Sequence, residues 1–222
     1  MNCHCPILRV LFSALMFATI LPCRAPSQTT PEVSKTLEAP PARVLIAYHS
    51  LTGNTEQMAK GVVEGVKRVP GVSVSLKPVD AVTKEDLESA DGIILGCPAY
   101  YGTIPGKMKV AIDDWSWKLK VDLTDKVGGA FATGGGQAGG KEFTVVSLLL
   151  FMLNNRMVVA GPLYRNDKTG STWAEVGAAA MTGPLDPGVG EGELDSARRL
   201  GERVARLTAK LNRAAASPLD GK

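Results

Sequence analysis

Apolar positions along this chain follow two rhythms: short, nearly continuous runs, and longer stretches repeating about every fourth residue. Val44-Leu45-Ile46-Ala47-Tyr48 is of the first kind, the pattern of a strand covered on both faces. A helix is expected from about Thr55, where Met58, Val62 and Val66 recur at four-residue spacing with Ala59 and Val63 beside them. Pro70-Gly71 ends it. Val72, Val74 and Leu76 alternate with serines and Lys77, which predicts a strand wetter on one face. Residues 83–90 suit a short helix capped by Thr83. Gly92-Ile93-Ile94-Leu95-Gly96 is the next buried strand. Pro105 opens a helix that carries Met108, Ala111, Ile112 and Trp115 on one face. Val127 to Thr133 reads as a strand, Lys141 to Asn154 as a helix, and Met157-Val158-Val159-Ala160 as the last strand. A long loop containing Gly and Pro follows. The final helix is expected from about Glu193 to Leu211, with Leu194, Ala197, Gly201, Val204, Leu207 and Leu211 inward.

Five apolar strands alternating with helices predict an α/β fold, a doubly wound parallel sheet with helices on both faces. The length of 222 residues leaves room for one such domain and little more. Residues 1–25 read as a signal-like leader: Arg9 precedes an apolar run over residues 10–21 that is short for a membrane span. Residues 26–42, rich in Pro, Thr, Ser and Ala, read as a flexible linker. The globular domain is then 43–213, with 214–222 a disordered tail. The leader predicts a protein exported to the envelope or anchored there, or a cytoplasmic one if it reflects a start codon called too early.

Net charge is +3, and removing Arg9 and Arg24 leaves 23 basic against 22 acidic residues. That balance offers no broad footprint for nucleic acid, and it lacks the strong acidity by which some electron carriers steer partners. Three of the four cysteines lie in the leader, so the domain has no disulfide framework. Cys3-His4-Cys5 supplies only three donors, and no metal site is expected from it.

Ligands of an open parallel sheet bind beyond the carboxyl ends of its strands, where strand order reverses. Three loops at that edge stand out. Ser50-Leu51-Thr52-Gly53-Asn54-Thr55 joins the first strand to the first helix. It offers hydroxyls, an amide and backbone N–H groups at a positive helix end, which suits a phosphate monoester. It lacks both the Gly-Lys-Ser/Thr of a nucleotide-triphosphate loop and the Gly-x-Gly-x-x-Gly of a dinucleotide turn. Gly96-Cys97-Pro98-Ala99-Tyr100-Tyr101-Gly102 places two aromatics where they could pack on a planar ring. They could equally anchor the loop as buried tyrosines. Cys97 reads as a small buried residue, not a nucleophile. Thr133-Gly134-Gly135-Gly136-Gln137-Ala138-Gly139-Gly140 suits a backbone that wraps a ligand edge through N–H groups.

With these residues in view, the chain resembles the flavodoxins and, more narrowly, the flavodoxin-like NAD(P)H:quinone oxidoreductases once called tryptophan-repressor-binding proteins. Ser-x-Thr-Gly-Asn-Thr after the first strand matches the flavodoxin loop for the phosphate of flavin mononucleotide (FMN). Pro98 to Gly102 and Gly106-Lys107-Met108 resemble Pro-x-x-Phe/Tyr-Gly and Gly-x-Met of the quinone reductases, and Phe131 to Glu142 their Gly-rich loop with one extra residue. The resemblance covers about Arg43 to Leu211. It implies a flavodoxin-like five-stranded sheet of order 2-1-3-4-5. It further implies FMN held by Ser50, Leu51, Thr52, Gly53, Asn54 and Thr55, by Pro98, Ala99, Tyr100, Tyr101 and Gly102, and by Thr133, Gly134, Gly135, Gly136 and Gln137. Asn154-Asn155-Arg156-Met157 stands where the family often has His-His-Gly-Met, making Asn155 a further candidate flavin contact. The segment between the second and third strands is shorter than in the family.

The activity so implied is ping-pong: NAD(P)H reduces the flavin and leaves, and a quinone or similar small acceptor takes the electrons. The flavin carries the chemistry, so no catalytic side chain is required. His49 then reads as a strand-end residue. The resemblance also implies a homo-oligomer, a dimer or tetramer. Trp115 continues the inward stripe of its helix, whereas Trp117 falls about 200° round and is a candidate wall of the substrate pocket, in its own subunit or across a subunit interface. The competing readings are an exported FMN electron carrier without NAD(P)H dehydrogenase activity, and a flavin-free interaction domain on the same fold.

Overall fold

The computed structural model describes residues 40–162 and 176–216. The leader, most of the linker and Cys3-His4-Cys5 lie outside the described residues. Strand β1 (Ala42–Tyr48) is an interior strand, with α1 (Asn54–Lys67) after it. There follow β2 (Val72–Pro78), α2 (Lys84–Ser89), β3 (Gly92–Pro98), α3 (Gly106–Trp117), β4 (Val127–Gly134) and α4 (Lys141–Asn154). The order is β2-β1-β3-β4, all parallel, as expected. Among the described residues, no helix is long and apolar enough to cross a membrane.

The run in β1 reads as continuous because its two faces feed two cores. Val44 and Ile46 point to a layer with Met58, Val62 and Val66 of α1. Leu45 and Ala47 point the other way, towards Met108, Ile112 and Trp115 of α3 and Leu148 and Met152 of α4. Edge strand β2 alternates between half-buried and exposed residues over Val72–Leu76, the wetter face read from its serines. Helix α2 starts on the expected Thr83 cap: the Thr83 hydroxyl accepts from Asp86 N–H, and the Asp86 carboxylate accepts from Thr83 N–H.

The fifth position of the sheet departs from expectation. It is split into β5 (Val158–Val159) and β6 (Ala178–Met181), both parallel to β4 along the same edge. The sequence reading placed 178–181 in a loop because three alanines carry little strand propensity. In place, those alanines are fully buried: the strand pairs with β4, and Ala178 and Ala180 pack in one core layer with Ala197, Leu200 and Val204 of the last helix, α5 (Glu191–Ala216). The order 2-1-3-4-5 therefore stands, with the fifth strand in two pieces. Helix α5 also extends past the expected end, so residues 214–216 belong to it and not to a tail, and Leu211 is exposed and not inward. Ala42, assigned to the linker by sequence, is the buried first residue of β1.

Candidate functional site

The three loops singled out in sequence converge at the carboxyl ends of β1, β3 and β4, and hydrogen bonds stitch them together. His49 N–H donates to Gly96 O at 2.9 Å, and Ala99 N–H to Thr133 O at 2.7 Å, each carrying sheet pairing into a loop. The hydroxyls of Thr55 and Thr133, both buried, lie 2.8 Å apart and join the first loop to the third.

In the first loop, Gly53 takes a left-handed conformation (φ 89°) at the N-cap of α1, and its N–H is held by Ser50 Oγ at 3.1 Å. The first helical bond is Gln57 N–H to Gly53 O, so the N–H groups of residues 54–56 have no acceptor within the helix. Thr52 is exposed beside them and its hydroxyl accepts from Asn54 Nδ2 at 3.3 Å. No lysine or arginine lies in this loop. Amide N–H and hydroxyl groups at a helix end are the kind of groups that can accept an anion without a basic side chain.

The second loop is a tight two-residue turn. Tyr100 and Thr103 exchange backbone hydrogen bonds, and Tyr101 (φ 52°) and Gly102 (φ 83°) both sit at positive φ. A bulky aromatic at positive φ is held under strain, and the ring of Tyr101 is fully exposed. Tyr100 is only partly covered and meets His49 edge-on, centroids 6.5 Å apart. Neither tyrosine is the buried loop anchor that was the bland alternative in the sequence. Cys97 is buried, and burial pushes its thiol pKa well above the usual range, which keeps it an inert thiol.

The third loop packs tightly on the second. Gly140 caps α4 at φ 85°, and a Cβ there would lie 2.4 Å from the Cα of Gly102, so only glycine fits. A fourth segment, unforeseen in sequence, completes the edge: residues 182–190, between β6 and α5. Thr182 N–H donates to Gly134 O at 2.9 Å, and Asp186 Oδ2 accepts from Gly136 N–H at 2.7 Å and from Gly183 N–H at 2.8 Å. Lys141, at the start of α4, is buried and its ammonium donates to Gly136 O. The Gly-Pro-Leu-Asp-Pro-Gly run was the only sequence signal for this segment.

Trp117 and Asn155 are not brought to this edge within one chain. Helices α3 and α4 start at the loops and run away from them, and twelve residues of α3 carry the chain about 18 Å. Both residues line the far end of a groove of about 850 Å³ that runs between α3 and α4 from Thr103 and Ile104, beside the second loop. Trp117 is largely exposed there, and Asn155 Oδ1 accepts from Ser116 Oγ at 3.2 Å. No group of three metal-ligating side chains occurs among the described residues.

Residues 77–170 match the family described as NADPH-dependent FMN reductase. A flavodoxin of Aquifex aeolicus is 36 % identical over 75 % of this chain and 87 % of its own length. An NAD(P)H dehydrogenase (quinone) of Sinorhizobium fredii is 36 % identical over 77 % of this chain and 98 % of its own. The chain belongs to the flavodoxin-like FMN reductase family. Among solved structures, a flavodoxin, WrbA-like protein from Agrobacterium tumefaciens superposes with a TM-score of 0.60 at 26 % identity, covering 76 % of this chain and 98 % of that one. The curated relatives carry names of two kinds, flavodoxin and NAD(P)H dehydrogenase (quinone).

Proposed function

We propose that this protein binds FMN at the stitched edge and uses it to pass electrons from NAD(P)H to a quinone. The observation that carries the reading is the first loop: a helix N-terminus with free N–H groups and the Thr52 hydroxyl, and no basic side chain. Such a site accepts a phosphate monoester by hydrogen bonds while adding no charge near a redox ring. Residues 50–55 would hold the phosphate, and residues 98–102 and 133–137 the ring system. Bound FMN would supply the hydride and electron chemistry. The chain's own part is to bind, to orient and to present. Thr55 and Thr133 fix the spacing between the phosphate loop and the glycine loop. The Tyr100–Thr103 turn projects the ring of Tyr101 from the same edge.

The relatives named NAD(P)H dehydrogenase (quinone), which this chain covers almost end to end, support the enzyme reading. The relatives named flavodoxin support the second reading, an FMN carrier without dehydrogenase activity. Purified, FMN-loaded protein should oxidise NADH or NADPH in the presence of a quinone. A flavin-loaded protein that does neither, yet exchanges electrons with a one-electron donor, is the carrier. In the enzyme reading Trp117 and Asn155 act on the flavin of another subunit of a homo-oligomer, since their own chain holds them at the far end. The leader adds an envelope location to the proposal, which cell fractionation tests.

A further inference from the structure

Lys141 is placed against local preference. It is an ammonium in the first turn of α4, at the positive end of the helix dipole, and it is 2 % exposed. Its compensation comes from the third loop and the fourth segment. The ammonium donates to the carbonyl oxygens of Gly136 and, at 3.4 Å, Gln137. From the other side, the Asp186 carboxylate accepts from the N–H groups of Gly136 and Gly183. One residue of the glycine loop, Gly136, is therefore gripped at its carbonyl by a cation and at its N–H by an anion.

We propose that Lys141 and Asp186 form a two-charge clamp that sets the third loop in its ligand-accepting shape before flavin arrives. The proposal rests on the reading of that loop as a flavin loop. A run containing five glycines in eight residues has no side-chain packing to define its path. The clamp replaces that packing with charge-assisted hydrogen bonds, the strong kind. Both are positioning residues: their polar groups are spent on backbone of this chain. The charges support each other. The two N–H groups and then Lys141 hold the Asp186 carboxyl below the usual carboxylate range, while burial lowers the Lys141 pKa against the pull of Asp186 and Glu142. Segment 182–190 thus governs a ligand loop fifty residues earlier in the chain.

The test uses the full chain with Lys141→Met, Asp186→Asn and the double variant. Hydrogen exchange of the flavin-free protein should rise at residues 135–139 in each single variant. Riboflavin and FMN affinity should fall by the same factor, about tenfold if the loop is then competent a tenth of the time. A change confined to FMN would mean that the phosphate loop was disturbed instead, and would overturn the clamp. The double variant should be no worse than the worse single one, because the two charges act on one loop. Parental exchange and parental riboflavin affinity in Asp186→Asn, whose carboxylate lies at the surface and whose loss leaves the core intact, would also overturn it. A parent chain that binds no flavin would overturn the flavin reading, and exchange in the flavin-free protein would still decide the clamp.

Discussion

Thr52 and Thr55 stand three residues apart in one loop, yet the structure gives them different work. Thr52 is exposed and its hydroxyl is engaged only by the Asn54 amide. Thr52→Ala should therefore weaken FMN, on the order of 1.5–3 kcal/mol for one charge-assisted hydrogen bond, with an unchanged melting temperature. Thr55→Ala should cost flavin-free stability as well, since it strands the buried Thr133 hydroxyl. Calorimetric titration beside thermal melts separates the two, and equal behaviour of the two variants would contradict these roles. His49 yields a prediction in pH. Its ring is almost buried against Tyr100, and burial, then Lys107, lower its pKa below 6.5 against the opposing pull of Asp80. The unfolded ring takes up its proton first, so the stability from neutral His49 is complete above about pH 6.5 and is lost as pH falls through the lowered folded value. Melts of the flavin-free protein should show a smaller drop between about pH 7 and pH 5 in His49→Gln than in the parent. Identical drops would remove His49 from the account. Residue identities of this kind were legible in the sequence where a motif spelled them out, as in 50–55. The link between Lys141 and Asp186 was not, because it runs through Gly136, which lies fifty residues before Asp186 in the chain.

Helices report their packing more plainly than loops do. Trp115 and Trp117 differ by two positions on α3, and the helical period sends them to opposite environments: Trp115 is in the core and Trp117 is 81 % exposed. Trp115→Ala should cost roughly 3–5 kcal/mol in chemical denaturation, and Trp117→Ala close to nothing. If Trp117 serves a neighbouring subunit's flavin, its loss should also raise the Michaelis constant for quinone, and unaltered kinetics would leave it a surface residue. The contact between α1 and α5 depends on Gly65, where an added Cβ would fall 1.9 Å from the carbonyl oxygen of Arg198. Gly65→Ala improves helix propensity, but should still destabilise by about 1–3 kcal/mol because backbone must give way. A change under about 0.5 kcal/mol would show that the helices separate at no cost. At this scale the sequence was least informative about β6. Ala178-Ala179-Ala180 lacks the branched residues that mark β1 and β3. What makes it a strand is the open edge of β4, which no local pattern records. The overlong α5 has a local cause: past the end of its apolar stripe, Ala214-Ala215-Ala216 are strong helix formers that let it continue.

Across the whole molecule, sheet order turns three separated loops into one surface. Residues 50–55, 98–102 and 133–140 meet because β1, β3 and β4 are adjacent in the order β2-β1-β3-β4. This was legible, since alternating strands and helices leave few topologies. The fourth segment at that edge was not, nor was the placement of Trp117 and Asn155 at the opposite end, which follows from the direction of α3 and α4 and not from proximity in sequence. The central claim is that this edge holds FMN by its phosphate, through a helix end without basic residues. A paired titration of the flavin-free full chain with FMN and with riboflavin tests it most directly, because the two ligands differ only in that phosphate. The account predicts FMN tighter by at least about tenfold, a difference of about 1.4 kcal/mol, that shrinks in Thr52→Ala. Equal affinities, or no binding of either flavin, would contradict it.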